Sequence, residues 1–154
     1  MDSKKRILNW SKKNRIETRD TTQPASGDAP AAKLADLVEE RYLVIETYRK
    51  NGDPVRTPVW FAEHQGIIYV RTNTDTGKAR RIRRNPHVRI APSSARGIPK
   101  SDWIEAEAII AGEGEAKTAF SLLKTKYGIQ YRLIRFIHWL QTRKDRSIAL
   151  RIRI

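Results

Sequence analysis

Alternating apolar and polar positions predict a chain built mainly of β-strands. Residues 42–48 and 55–63 are rich in β-branched and aromatic side chains, and Asn51-Gly52 between them is a hairpin turn signal. The same pattern continues in four more segments, namely 67–72, 87–91, 103–112 and 147–154. About six strands joined mostly by hairpins favour a mainly β fold, an antiparallel barrel, over a layered α/β architecture.

Helical periodicity is predicted before, between and after these strands. A helix over residues 30–41 begins at a proline and carries three leucine or valine side chains on one face. A short basic helix ends at Asn85-Pro86, and two further helices meet at Gly128. The last helix places its apolar residues on one face, namely Ile129, Leu133, Phe136, Ile137 and Leu140.

The first 32 residues differ in composition from the rest of the chain. They are rich in Lys, Arg, Asn and Thr, and then pass through the linker-like segment QPASGDAPAA. Ile7, Leu8 and Trp10 are compatible with one helical turn packed on a neighbouring surface, although a flexible tail is the favoured interpretation. We therefore assign residues 1–32 to an N-terminal extension and residues 33–154 to a single folded domain.

Composition excludes several classes of protein. The chain contains no cysteine, which removes disulfides, thiolate metal sites and cysteine nucleophiles from consideration. No apolar run approaches the roughly 20 residues that a membrane span needs, and the N-terminus lacks the features of a secretory signal, so a cytoplasmic location is expected. His64, His87 and His138 lack metal-ligand spacing, and no GxSxG motif is present.

The excess of basic residues indicates an anionic partner. The chain has 31 Lys and Arg against 17 Asp and Glu, a formal net charge of +14. Three interpretations stay open: a nucleic-acid-binding module, a site for a phosphorylated cofactor, and a basic surface that maintains solubility. The second is favoured because part of the excess lies where a Thr- and Gly-rich turn opens a helix that carries Lys78. A solvated basic helix face is the alternative for that segment.

Four segments, in this order, resemble a known family. VRTPVWF (55–61), YVRT (69–72), TGKARRIRRNPHV (76–88) and WIEAEA (103–108) resemble the flavin-binding split barrels related to pyridoxamine 5'-phosphate oxidase. Within that superfamily they look closest to the branch that uses the deazaflavin coenzyme F420. The resemblance covers roughly residues 35 to 154. It implies a six-stranded antiparallel split β-barrel with helices at the ends.

The resemblance also implies site residues. The strand over Thr57, Pro58, Val59 and Trp60 is expected to lie along the cofactor ring. The phosphate is expected to bind at the next strand end and turn, at Arg71, Thr72, Thr76 and Lys78, with Arg81 as a weaker candidate. Because cofactor sites in these barrels are shared between two subunits, a homodimer is expected, with Arg96 and Trp103 across its interface.

An oxidoreductase is the function that this resemblance implies. Hydride transfer would occur on the bound cofactor, coenzyme F420 or, alternatively, FMN, to or from a small organic substrate. The acidic glutamyl tail of coenzyme F420 suits the basic surface. Pyridoxine phosphate oxidation is disfavoured because the chain ends in RIRI, without the Arg- and His-bearing motif of those oxidases. Contacts to the tail are expected from Lys33, Arg80, Arg84, Arg96 and Lys100.

Overall fold

The computed structural model describes residues 29–142 and 145–154. The expected turn at Ile7, Leu8 and Trp10 lies outside this range. None of the helices in these residues is long and apolar enough to cross a bilayer. In chain order the elements are α1 (Ala29–Val38), β1 (Tyr42–Tyr48), β2 (Pro54–Val59), β3 (Phe61–His64), β4 (Ile67–Asn73), α2 (Gly77–Arg84), β5 (His87–Ser93), β6 (Ile104–Ile110), α3 (Glu113–Thr142) and β7 (Ser147–Arg153).

All seven strands form one antiparallel sheet in the order β2-β1-β5-β6-β7-β4-β3. Strands β2 and β3 lie at opposite edges of this sheet, yet only Trp60 separates them in the chain. The sheet must therefore curl until its two edges meet, which gives a barrel that is open along the line between them. The mainly β, antiparallel barrel with peripheral helices is confirmed.

The described part of the chain contains seven strands rather than the expected six. The run 55–63 was predicted as one strand, but the chain changes partners within it. Val59 pairs with Leu43 of β1, whereas Phe61 pairs with Val70 of β4. Pro58, which has no N–H to donate, lies in β2 at the edge of the sheet, as its chemistry requires.

The barrel interior is filled by alternate residues of the strands. On β6, Ile104, Ala106 and Ala108 are buried, and Glu105 and Glu107 are exposed, as the alternation predicts. The same core contains larger side chains from the other strands, including Leu43, Ile45, Phe61, Ile68, Ile90, Leu150 and Ile152.

A buried carboxylate joins three strands at one side of the barrel. Glu46 of β1 is fully buried and accepts hydrogen bonds from Arg56 of β2 at 2.9 Å and Arg89 of β5 at 2.8 Å. Tyr48 donates a third bond to it at 3.0 Å. Burial raises the pKa of Glu46, but the hydrogen bonds from Arg56, Arg89 and Tyr48 outweigh burial, so the pKa lies below 4.5. The carboxylate is therefore held ionised between its two cations.

The helix α3 is bent at Gly128, where two predicted helices meet. Gly128 has φ 53° and ψ −127°, a conformation that favours glycine. Before the bend, Ala119, Leu123 and Tyr127 are buried against the outer face of the sheet. After the bend, the five apolar residues predicted to share a face do share one, but that face is exposed to solvent: Ile129, Leu133, Phe136, Ile137 and Leu140 are 46–81% exposed.

Candidate functional site

The turn before α2 creates a helix N-terminus with unsatisfied amides. Thr76 is the N-cap, and its side-chain oxygen accepts a hydrogen bond from the amide of Ala79 at 3.2 Å. The hydroxyl groups of Thr72 and Thr76 are 3.2 Å apart. The amides of Gly77 and Lys78 have no acceptor within residues 29–142 and 145–154. Such amides attract an anion.

Lys78 is the unusual residue of this turn because it is only 8% exposed. Among the residues that the structure describes, no carboxylate or other acceptor pairs with its ammonium group. Burial, together with the nearby charge of Arg81, lowers the pKa of Lys78 from 10.5 to about 8. A buried, unpaired ammonium is costly unless an anion joins it.

Lys78 lines a cleft of about 760 Å³, which is within the roughly 300–1,000 Å³ range of small-molecule sites. The ends of β2 and β4, the start of α2 and parts of α3 on both sides of its bend form the walls. The cleft is lined by Tyr42, Pro58, Val59, Trp60, Arg71, Thr72, Asn73, Thr76, Lys78, Ala95, Leu123, Lys124, Tyr131, Arg132, Ile134, Arg135, Phe136, Asp145 and Ser147.

Seven of the eleven residues expected at the site line this cleft, and four lie elsewhere. Thr57 faces Ile45 of β1 across the β1–β2 ladder, and Arg81 donates to the hydroxyl of Thr47 at 2.8 Å. Arg96 is exposed in the loop between β5 and β6, and Trp103 lies beneath the guanidinium groups of Arg56 and Arg89. The residues that the cleft brings together are Pro58, Val59, Trp60, Arg71, Thr72, Thr76 and Lys78.

Arg71 lines the cleft, but its donors are already engaged. It donates to the Tyr131 hydroxyl at 2.7 Å and to Asp145 at 3.1 Å, and its guanidinium lies 4.4 Å from the centre of the Phe120 ring. The hydroxyl of Ser147, followed by the charge of Arg71, holds the pKa of Asp145 below its usual range. Arg71 therefore joins β4 to α3 and to the segment before β7, whereas Lys78 makes no hydrogen bond or ion pair through its ammonium group within the described residues.

Trp60 supplies a flat wall. It is half-buried and stacks on Tyr127, with ring centroids 4.5 Å apart and planes 4° from parallel. The Tyr127 hydroxyl donates to the Phe61 carbonyl at 2.9 Å and accepts from the Phe61 amide at 3.0 Å. Burial raises the pKa of Tyr127 to about 12, so the phenol stays protonated. Trp60 thus both packs on the helix and faces the cleft.

The wall formed by α3 was not anticipated from the sequence. Its residues lie about fifty positions after Lys78, on both sides of the bend at Gly128. None of the side chains expected to hold an acidic tail lines the cleft; three exposed cations of α3 do so instead, namely Lys124, Arg132 and Arg135.

Within the described residues, no group of three or more His, Asp or Glu side chains is arranged to hold a metal.

The family model for pyridoxamine 5'-phosphate oxidase matches residues 30–150, which include every strand of the barrel except the end of β7. The chain belongs to the pyridoxamine 5'-phosphate oxidase family. The family resemblance inferred from the four sequence segments is thereby confirmed. Among curated proteins, no sequence match was found.

Solved structures from several bacteria share the fold. A pyridoxamine 5'-phosphate oxidase candidate from Listeria innocua is 17% identical with a TM-score of 0.56, covering 80% of this chain and 91% of its own. The heme storage protein HutZ of Vibrio cholerae is 15% identical with a TM-score of 0.57, covering 79% and 87%. General Stress Protein 26 of Bacillus anthracis is 17% identical with a TM-score of 0.53, covering 81% and 88%. Such low identities establish a common fold and leave function to the site itself.

Proposed function

We propose that this protein is an oxidoreductase that binds a deazaflavin, coenzyme F420, in the cleft beside Lys78. The observation that carries the proposal is the buried Lys78, whose ammonium has no counter-ion among the described residues, next to the amides of Gly77 and Lys78, which have no acceptor among them. Together with the hydroxyls of Thr72 and Thr76, these groups are suited to a phosphate. FMN, which also carries a phosphate, is the alternative cofactor.

The remaining walls suit the rest of such a molecule. The half-buried face of Trp60, with Pro58 and Val59 beside it, offers a flat apolar surface to a ring system. The cofactor supplies the hydride chemistry, while the chain binds its phosphate, orients its ring and excludes water. No side chain is assigned as a proton donor.

The exposed cations on α3 favour coenzyme F420 over FMN. Lys124, Arg132 and Arg135 lie on the same cleft as Lys78 but on its exposed wall, where only Asp145 among the lining residues is acidic. A glutamyl tail would meet these charges, whereas FMN has no group to place there. The expected homodimer, with Arg96 and Trp103 at its interface, remains a proposal of the same kind.

Binding measurements with two pairs of ligands test the phosphate assignment. Coenzyme F420 and FMN each have a counterpart without phosphate, the ribityl deazaflavin and riboflavin. Lys78→Met should weaken binding of both phosphorylated ligands by about 10- to 100-fold, since a charge-assisted hydrogen bond contributes roughly 1.5–3 kcal/mol. The same substitution should barely change binding of the phosphate-free ligands.

The control is Arg80→Ala, which removes an exposed cation from the same helix that does not line the cleft. This variant should bind all four ligands as the parent does. Equal affinity of the parent and Lys78→Met for coenzyme F420 and for FMN would refute the phosphate site. Failure of the parent to bind any of the four would refute the proposed function.

A further inference from the structure

Arginine side chains of two elements meet where β1 ends. From α2, Arg81 donates its Nε to the hydroxyl of Thr47 at 2.8 Å, and Arg84 donates to the carbonyl of Tyr48 at 2.8 Å. Arg49 is the next residue of the chain and opens the turn of the β1–β2 hairpin. Two hydrogen bonds thus anchor α2 arginines at consecutive positions of β1, directly before a third arginine.

The protein does not neutralise this group of charges. Within residues 29–142 and 145–154, no carboxylate forms an ion pair with any of the four arginines here, namely Arg49, Arg80, Arg81 and Arg84. Burial, followed by the charges of the other three, lowers the pKa of Arg81. Asp53, the acidic residue of the same hairpin, bonds to a side-chain amide of that hairpin at 2.8 Å. The four cations therefore repel one another, and an anion with several charges would relieve that repulsion.

A pair of stacked rings lies beside these arginines. Tyr48, whose carbonyl accepts from Arg84, stacks on His87 with ring centroids 5.6 Å apart and planes 16° from parallel. The Nε2 of His87 is 3.1 Å from a carboxylate oxygen of Glu105, and the His87 side chain is 55% exposed. The imidazole is therefore held from one face and from its edge, which leaves its second face to solvent.

Arginines without counter-ions next to an exposed ring suit one class of ligand. Guanidinium groups bind phosphate oxygens in pairs, and exposed aromatic faces stack nucleobases. An acidic peptide would use the arginines and not the ring, and a duplex keeps its bases stacked on one another. We propose that this surface binds a single-stranded nucleic acid, with phosphates on Arg49 and Arg84 and a base on His87.

This surface is separate from the cofactor site. Neither the four arginines nor the two stacked rings line the cleft beside Lys78. The proposal therefore does not depend on the cofactor assignment, and substitutions here should leave the binding of FMN and coenzyme F420 unchanged.

The salt dependence of binding tests the phosphate contacts. Fluorescence anisotropy would follow binding of the full chain to a labelled oligothymidylate of about 12 nucleotides. Arg49→Gln with Arg84→Gln should make the slope of log affinity against log salt shallower by about 1.4, since each phosphate contact on a single strand contributes about 0.7. The control, Lys33→Gln with Lys117→Gln, removes the same charge from exposed sites on α1 and α3 and should leave the slope unchanged.

Substitutions of His87 test the stacking contact. His87→Ala should weaken binding of the oligothymidylate about 5- to 100-fold, and His87→Phe, which keeps a flat ring and no charge, should bind as the parent does. His64→Ala removes an exposed histidine at the end of β3 and should have no effect.

Four results would overturn the proposal. They are no binding by the parent at low salt, equal slopes for the two double variants, unchanged affinity of His87→Ala, and binding of polyglutamate through the same arginines at least as tight as that of the oligothymidylate. The last result would identify an acidic peptide as the ligand. If thermal melting shows the first double variant to be unfolded, Arg49→Gln with Arg80→Gln replaces it, with the same expected change in slope.

Discussion

Lys78 is expected to reduce the stability of the protein without its ligand, and replacing it should reveal the cost. Burial, together with the nearby charge of Arg81, lowers its pKa from 10.5 to about 8. The unfolded chain therefore binds this proton more tightly than the folded chain does. Each pKa unit corresponds to about 1.36 kcal/mol, so the ammonium costs the folded state about 3 kcal/mol near pH 7.

The sign of the pH dependence follows from the same difference. Below pH 8, Lys78 is protonated in both states and the full cost is present. Between about pH 8 and pH 10.5, the folded state loses the proton first, and the cost declines. Lys78→Met should therefore raise the free energy of unfolding of the ligand-free protein by as much as about 3 kcal/mol near pH 7. The gain should fall to about half near pH 9.5.

Denaturant unfolding of the parent and of Lys78→Met at both pH values measures this effect. Calorimetry in buffers of different ionisation enthalpy adds a second measurement. Near pH 8 the binding of coenzyme F420 or FMN to the parent should take up a fraction of a proton, because the phosphate restores the charge on Lys78, and the variant should show no such uptake. A variant less stable than the parent at every pH, with unchanged proton uptake, would refute the reasoning.

Three further substitutions, two of them with a matched control, test the structure around the site. Glu46→Gln should lower the free energy of unfolding by about 2–4 kcal/mol, because two arginines lose their buried partner, whereas Glu105→Gln at an exposed site should be nearly neutral. The contribution of Glu46 to the free energy of unfolding is present above pH 4.5 and should be lost as the pH falls through its lower folded-state pKa. The Glu46→Gln variant should therefore have a smaller free energy of unfolding at neutral pH, and this free energy should depend less on pH in the acid range. Gly128→Ala should destabilise by about 1 kcal/mol because of its positive φ, and Gly114→Ala, with nothing within 4 Å of the added atom, should be neutral or stabilising in the same denaturant titration. Trp60→Ala should weaken the binding of coenzyme F420 and of riboflavin alike. Weaker binding of the phosphate-bearing ligands only would contradict the role of Trp60 beside the ring.

Much of the fold follows from local pattern. The alternation on β6 determines which side chains are buried, and Thr76, a residue type favoured at helix N-caps, caps the helix that begins at Gly77. The exchange of partners at Trp60 was not predicted because no turn residue interrupts the apolar run from Val59 to Ala62. Only the positions of β1 and β4 show that Val59 and Phe61 pair with different strands. Local periodicity contains no information on that choice.

The candidate site also has features that the sequence predicts and features that only the structure shows. Residues next to one another in the chain, such as Thr72, Thr76 and Lys78, could be assigned together because a strand end, a turn and a helix start form one local unit. Lys78 is buried on a helix that packs against β1 and β6, and Arg71 is engaged by Tyr131 and Asp145, so both features depend on segments distant in sequence. These contacts leave the ammonium of Lys78, and not the guanidinium of Arg71, available to a ligand. Counting charges in the sequence does not distinguish the two residues.

The position of Trp60 links the integrity of the barrel to occupation of its cleft. Trp60 is the single residue between β2 and β3 in the chain. These two strands are the opposite edges of the sheet and do not pair with each other. A molecule resting on the indole would contact both margins of the opening at once. A bound cofactor would then hold β2 and β3 together across the opening. The ligand-free protein would separate first at these two strands, where the cofactor binds.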